Sequence, residues 1–183
     1  RIADLALEQR ADALLIAGDL CDDAVADVGL RTVVAGELAR LARDGVPTVL
    51  IRGNHDALLD LSRYGPIAEG VHLLDAARPS VEIAGGWLHG LGFEARHVTE
   101  SLLPRYPAPV PGRVNVGLMH TSLGGAPGHD RYAPCAEADL LAQGYEYWAL
   151  GHIHARREIR GERCLAVMPG IPQGRHVREP GRG

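Results

Sequence analysis

The sequence predicts an α/β fold of parallel strands, each running into polar residues at its carboxyl end. Short aliphatic runs rich in β-branched residues recur at 13–17, Thr48–Ile51, 114–119 and 147–150, and runs of this length and composition read as buried strands. A long amphipathic stretch over 24–43 separates the first two, which makes a β-α-β unit. The runs end in Gly18-Asp19, Gly53-Asn54-His55-Asp56, His120 and Gly151-His152-Ile153-His154. Open α/β sheets bind ligands outside the carboxyl ends of their strands. Asp, Asn and several His gathered at such a place describe a metal centre of mixed nitrogen and oxygen ligands.

The frame agrees with one domain over 1–183: 46% hydrophobic and 23% charged residues are ordinary for a globular chain with its own core. No run of 18 apolar residues and no signal-like segment occurs, so membrane insertion and export are not implied and a cytoplasmic protein is the expectation. Cys21, Cys135 and Cys164 share no close spacing, which fits reduced packing thiols and excludes a CxxC motif. All 19 basic residues are Arg, which reads as codon bias. The charge is uneven: residues 156–183 carry seven Arg and three Glu for a net +4, leaving -8 on the remainder of a chain of net -4. The acidic body disfavours broad non-specific nucleic-acid binding, and the basic tail leaves room for local phosphate contacts.

Residues 1–10 read as a helix with Ile2, Leu5 and Ala6 apolar, but no N-cap precedes it and no initiator Met is present. A strand upstream of this helix is expected, and with it an N-terminal truncation. The 24–43 helix turns Val28, Val33 or Val34, Leu38 and Leu41 inward and ends at Asp44-Gly45. Pro47 opens the second strand. A short helix is expected over 57–64, and strands over 71–74 and 81–93, arranged as an antiparallel meander around Gly85-Gly86. Four prolines make 100–113 a loop with one helical turn at Leu102-Leu103. The Gly/Pro-rich 124–134 segment suits the rim of a site beside His120. A helix follows over 136–143, and two strands, 157–160 and 163–167, flank Gly161. The 180–183 segment forms no element.

In order, Gly18-Asp19-Leu20-Cys21-Asp22 fits GDxxD, 53–56 is GNHD, His120 closes a strand and 151–154 is GHxH. This series resembles the calcineurin-like metallophosphoesterases. The 147–154 and 169–176 segments, with Tyr132-Ala133-Pro134-Cys135, are most similar to the bacterial DNA-repair exonuclease branch, the SbcD-like nuclease subunits. The resemblance implies an α-β-β-α sandwich of two facing mixed sheets flanked by helices, its first strand missing here. It implies a DNA phosphodiesterase using two divalent ions, most readily Mn, with Fe, Zn or Mg as alternatives. Asp19 would bridge the ions, Asn54, His120 and His152 would complete one site, and His154 would belong to the other. Two ions about 3.5 to 4 Å apart activate water and neutralise phosphate charge. His55 would contact the phosphate and assist the leaving oxygen, with Asp22 orienting it and Asp56 behind the ligands. The family also begins with a strand carrying Asp-x-His, and no His here has Asp two residues before it. A fragment that holds one metal and turns over slowly or not at all is therefore expected. A C-terminal capping region typical of family nucleases is not present in this sequence. DNA, a homodimer and a coiled-coil ATPase are the partners the resemblance implies.

Other residues read more plainly. His72, His89, His97 and His129 read as structural histidines. Trp87, Trp148, Tyr145 and Tyr147 sit in strand-like alternation and read as packing. Arg156, Arg157, Arg160 and Arg163 read as a solvated hairpin face. Arg52, Arg175 and His176 are candidates for phosphate or DNA contact; Arg175 reads equally as a Pro/Gly loop residue and as a bidentate phosphate clasp. A small-phosphodiester or phosphatase enzyme of the same superfamily, and a non-catalytic partner-binding scaffold, are the alternative functions.

Overall fold

Parallel pairing through a helical crossover appears where the apolar runs predict it. In the computed structural model, which describes residues 1–21, 28–58, 69–124, 131–172 and 174, α1 (Ile2–Glu8) leads into β1 (Leu14–Ala17). The crossover helix α2 (Val28–Arg43) then leads to β2 (Thr48–Ile51). α2 stops as its sequence dictates: Gly45 takes φ +87°, Val46 N donates to Leu41 O and Gly45 N to Ala42 O, so glycine releases the last carbonyls into a tight cap. Its inward face is set by Leu41, fully buried, and by Val34, while Val33 is 62% exposed.

β1, β2 and β3 (Val71–Leu73) form a three-stranded sheet in that order, all parallel. The second sheet has six strands in the order β4-β5-β6-β7-β9-β8. These are β4 (Ser80–Ile83), β5 (Gly86–Gly90), β6 (Asn115–His120), β7 (Tyr147–Gly151), β8 (Arg157–Arg160) and β9 (Leu165–Met168). β5, β6, β7 and β9 run parallel, with β4 and β8 antiparallel at the edges. A 3₁₀ turn, Leu103–Arg105, precedes β6, and α3 (Glu137–Ala142) precedes β7.

One expectation is corrected here. The 71–93 segment is not a single meander, because β3 pairs with β2 in the smaller sheet and only β4 and β5 form the hairpin. The switch occurs at 75–79, where the Asp75 carboxylate accepts from Ala77 N and Arg78 N and turns the chain toward the other sheet.

The sheets face each other across Val49, Ile51, Leu74, Leu88 and Leu118, with Leu15, Val116 and Ala149 beside them. Side chains of the next residues point the other way. Met119, Trp148 and Leu150 accordingly cover the outer face of the larger sheet with Leu140 of α3, Tyr106 and Tyr145. Leu41 and Val46 pack with Ala3 of α1 beyond the smaller sheet. Each fully buried large apolar side chain supplies roughly 1.5–3 kcal/mol. The result is the expected α/β sandwich of two sheets flanked by helices. Cys21, Cys135 and Cys164 are buried and in no disulfide. Among the described residues, no helix is long and apolar enough to cross a membrane. Asp22, His129, Gln173, Arg175, His176, residues 59–64 of the expected short helix and the tail beyond 174 lie outside the described residues.

Candidate metal centre

The two sheets aim the carboxyl ends of β1, β2, β6 and β7 at one point. His120 is the last residue of β6 and, by strand alternation, shares the side of Leu118, toward the smaller sheet. Its ring is buried among backbone. A Cβ on Gly18 would lie 2.5 Å from His120 Nδ1, and one on Gly53 or Gly151 would overlap the ring, Asp19 or the Ala17 carbonyl. Three glycines thus leave the volume that the imidazole fills. Phe93, the only phenylalanine of the chain, closes the site edge-on at 5.3 Å.

The hydrogen bonds set the ring's tautomer. His120 Nδ1 lies 2.9 Å from Ala17 O, which only accepts, so Nδ1 carries the hydrogen. In the neutral ring Nε2 is then a lone pair, 2.9 Å from Asn54 Oδ1 and 3.3 Å from Asp19 Oδ2. Three acceptors directed at one another repel unless a positive charge, a proton on Nε2 or a metal ion, stands among them. Asp19, His120 and His152 each bring a ligand atom within 4.8 Å of the others, and the His120 and His152 rings lie 5.1 Å apart. Among the described residues this is the cluster that fits a metal ion. A carboxylate, an amide oxygen and two imidazoles suit Mn, Fe or Zn better than Ca. The donor set fits a divalent cation.

Two of these residues hold rare backbone conformations. Asp19 has φ +54°, which Asp tolerates better than most residues, and His152 has φ +96°. Such non-glycine conformations cost about 1–3 kcal/mol each and persist where surrounding contacts enforce them. Asp56 supplies part of that enforcement. Its buried carboxylate accepts from Gly53 N at 2.6 Å, Leu20 N at 2.8 Å and Asp19 N at 3.3 Å, stitching the end of β1 to the end of β2. Burial raises the Asp56 pKa and the charge of Asp19 adds to the rise, against which the backbone donors pull. For Asp19, burial pushes upward, yet with a proton on His120 Nε2 the hydrogen bond and charge of His120, together with the donor His55 N, hold its pKa below the ordinary carboxylate value. It stays ionised at neutral pH.

The remaining sequence candidates are placed as follows. His55 is exposed beside the cluster, tied to it by His55 N donating to Asp19 Oδ1 at 3.0 Å. His154 is exposed and stands outside the Asp19-His120-His152 group, its carbonyl accepting from Ile171 N at 3.1 Å. Arg52, partly buried, lies 4.0 Å from Asp75. His89 is a structural residue as read, buried between Ser80 and Asn115. The basic hairpin is a paired surface, with Arg156 and Arg160 on Glu158 and Arg157 on Glu137.

Sequence reasoning missed the aromatic wall. Tyr132 packs edge-to-face with His152 at 5.2 Å, and His97 stacks on Tyr132 at 5.7 Å. The loop carrying Tyr132 is clamped to the residues after β6: Ser122 N donates to Tyr132 O, Tyr132 N to Ser122 Oγ and Thr121 Oγ1 to Ala133 O. The sequence marked Tyr132 only as part of the Gly/Pro-rich rim and of the Tyr132-Ala133-Pro134-Cys135 segment, neither of which shows its contact with His152 or His97.

The calcineurin-like phosphoesterase family matches residues 1–156. The chain is 34% identical, over 97% of its length, to the uncharacterized metallophosphoesterase YhaO of Bacillus subtilis. It is 25% identical, over 94% and 91% of its length, to proteins named DNA double-strand break repair protein Mre11 from Methanopyrus kandleri and Sulfurisphaera tokodaii. It spans 45%, 42% and 45% of these three relatives. A family match running from α1 to the far side of the His152 loop takes in the strand ends and the polar residues they present, and it makes this chain a member of the calcineurin-like metallophosphoesterase superfamily.

Proposed function

We propose that this chain is the nuclease domain, 1–183, of a DNA-repair exonuclease of the SbcD and Mre11 type that hydrolyses phosphodiester bonds. The observation that carries the reading is the convergence of Asp19, Asn54, His120 and His152 on one point. Likeness to two proteins named for double-strand break repair supports DNA as the substrate. Asn54, His120 and His152, with Asp19, would hold one divalent ion, and Asp19 with His154 would contribute to a second. Mn is the preferred metal. When bound, the ions supply Lewis-acid activation of water and neutralise phosphate charge.

The chain's own residues do the rest. His120 keeps its Nδ1 hydrogen on Ala17 O and so presents a lone pair. Asp56 fixes the backbone of Asp19 and Gly53. His55, exposed at the mouth, donates to a phosphate oxygen and hands a proton to the leaving alkoxide, with Asp22 orienting it. Arg52, Arg175 and His176 contact the phosphates. A homodimer with a coiled-coil ATPase, in the cytoplasm, is the assembly this reading implies.

The test is Mn-dependent cleavage of linear DNA and of a small aryl phosphodiester, on protein that includes the Asp-x-His strand the family resemblance calls for. The proposal expects DNA to be cleaved, and a His55→Ala variant to be slower by about 10²–10⁴-fold with unchanged Mn content. Cleavage of the aryl diester alone would replace DNA with a small diester. Equal rates in His55→Ala would remove the acid role.

A further inference from the structure

Beside the metal centre lies a cavity of about 280 Å³ floored by Phe93, Val98 and Leu102 and rimmed by His97, Glu94, Glu100 and Arg105. Two aromatic contacts join it to the cluster. Phe93 belongs to the cavity and also packs edge-on against His120 at 5.3 Å. On the other side His97 stacks on Tyr132, 22° from parallel, and Tyr132 meets His152 at 5.2 Å. The wall is held in place, since Ala133 N donates to Val98 O at 2.6 Å and Ala133 keeps a strained φ of +39°.

Resting on the phosphodiesterase reading above, we propose that this cavity holds the nucleobase of the nucleotide whose phosphate lies at the metal centre. A volume of this size is below that of drug-sized pockets, about 300–1,000 Å³, and suits a single ring system. The floor is apolar and aromatic, as a flat heteroaromatic ligand needs. His97 is exposed and offers a ring face next to the cavity. The rim sets two carboxylates, Glu94 and Glu100, against one guanidinium, Arg105. That balance disfavours a second phosphate and suits the exocyclic amines of adenine, cytosine or guanine, which carboxylates accept. Thymine, which lacks such an amine, binds least well. The base must leave the duplex to enter, so the cavity selects an unpaired or frayed nucleotide.

The experiment titrates Mn-loaded protein with 2-aminopurine deoxyriboside 5′-monophosphate and follows its fluorescence, with 2-deoxyribose 5-phosphate as the base-free competitor. Quenching on binding is expected, with the base-free sugar phosphate at least tenfold weaker as a competitor. His97→Ala weakens nucleotide binding about 5- to 30-fold, the lower part of the range for base stacking because imidazole is the smaller ring. Thr99→Leu, an exposed substitution that fills the cavity from its rim, weakens it similarly and leaves competition by the sugar phosphate unchanged. Equal competition by the base-free compound, or unchanged nucleotide affinity in both variants, overturns the proposal. Base-dependent binding in a protein that cleaves no DNA removes the exonuclease reading and supports the cavity assignment; DNA cleavage with no base dependence overturns the cavity assignment alone.

Discussion

Replacing Asp56 with alanine removes the joint between the two strand ends that carry Asp19 and Asn54. The carboxylate accepts three backbone N–H groups, two at 2.6 and 2.8 Å and a weaker one at 3.3 Å. A buried donor left without an acceptor costs about 1–3 kcal/mol. Two strong donors and one weak one give roughly 3–6 kcal/mol. Relief of the repulsion from Asp19, which contributes to raising the Asp56 pKa, offsets a part of that, so the lower half of the range is the expected loss. At about 2–4 °C per kcal/mol for a chain of this length, Tm falls by about 6–18 °C. Asp56→Asn keeps one acceptor for Gly53 N while its NH₂ opposes Leu20 N, and loses about half as much. Urea denaturation at pH 7 with a parallel thermal melt measures both. An Asp56→Ala protein within 1 kcal/mol of the parent would refute the reasoning, because it would mean that water or a backbone shift satisfies all three donors.

Other perturbations reach different parts of the fold. Gly151→Ala puts a Cβ into the Ala17 carbonyl that holds His120, and Mn affinity measured by titration falls about 10- to 100-fold, as for other lost supports of metal-binding histidines. His89 lies in the larger sheet on β5, in register with Gly117 of β6. Asn115 Oδ1 already accepts from Val110 N, so His89 Nε2 donates to it and Nδ1 accepts from Ser80 Oγ. Burial lowers the His89 pKa below 6.5 and the Asn115 contact only partly opposes it. The neutral ring therefore stabilises the fold above about pH 6.5, and that contribution is lost as the pH falls through the folded-state value. Urea midpoints should drop from pH 7.5 to 5.5 by more in the parent than in His89→Gln; identical drops would contradict this. Arg157→Ala, breaking the exposed pair with Glu137, changes stability by less than about 1 kcal/mol in the same assay.

The strands and the points where they stop were readable because burial leaves little choice. Thr48, Val49, Leu50 and Ile51 are all buried, and a central parallel strand covered on both faces reads as a near-continuous run of apolar and β-branched residues. The grouping of Asp19, His120 and His152 was readable for the complementary reason, since polar residues packed directly after such a strand have nowhere to go but its carboxyl end. The sheet to which β3 belongs was not readable. Its three residues look alike in either sheet, and the choice is made by the Asp75 turn and by the close approach of Gly90 to Ile51 and Leu74. That Asp56 accepts from three donors on two separate loops was not readable, because no local pattern encodes it. The contact between Tyr132 and His97 escaped because contact between loops over thirty residues apart leaves no periodicity. Val33 and Val34 are neighbours on a helix, and only packing decides which turns inward.

The central claim is that Asp19, Asn54, His120 and His152 hold a divalent cation. Mn titration followed by calorimetry and by the electron paramagnetic resonance of free Mn tests it most directly, on the parent, His120→Gln and His152→Gln. At least one Mn per chain is expected in the parent, with affinity at least tenfold weaker in each variant whose far-ultraviolet circular dichroism matches the parent. Equal Mn affinity in all three proteins, or none in the parent, would contradict the account.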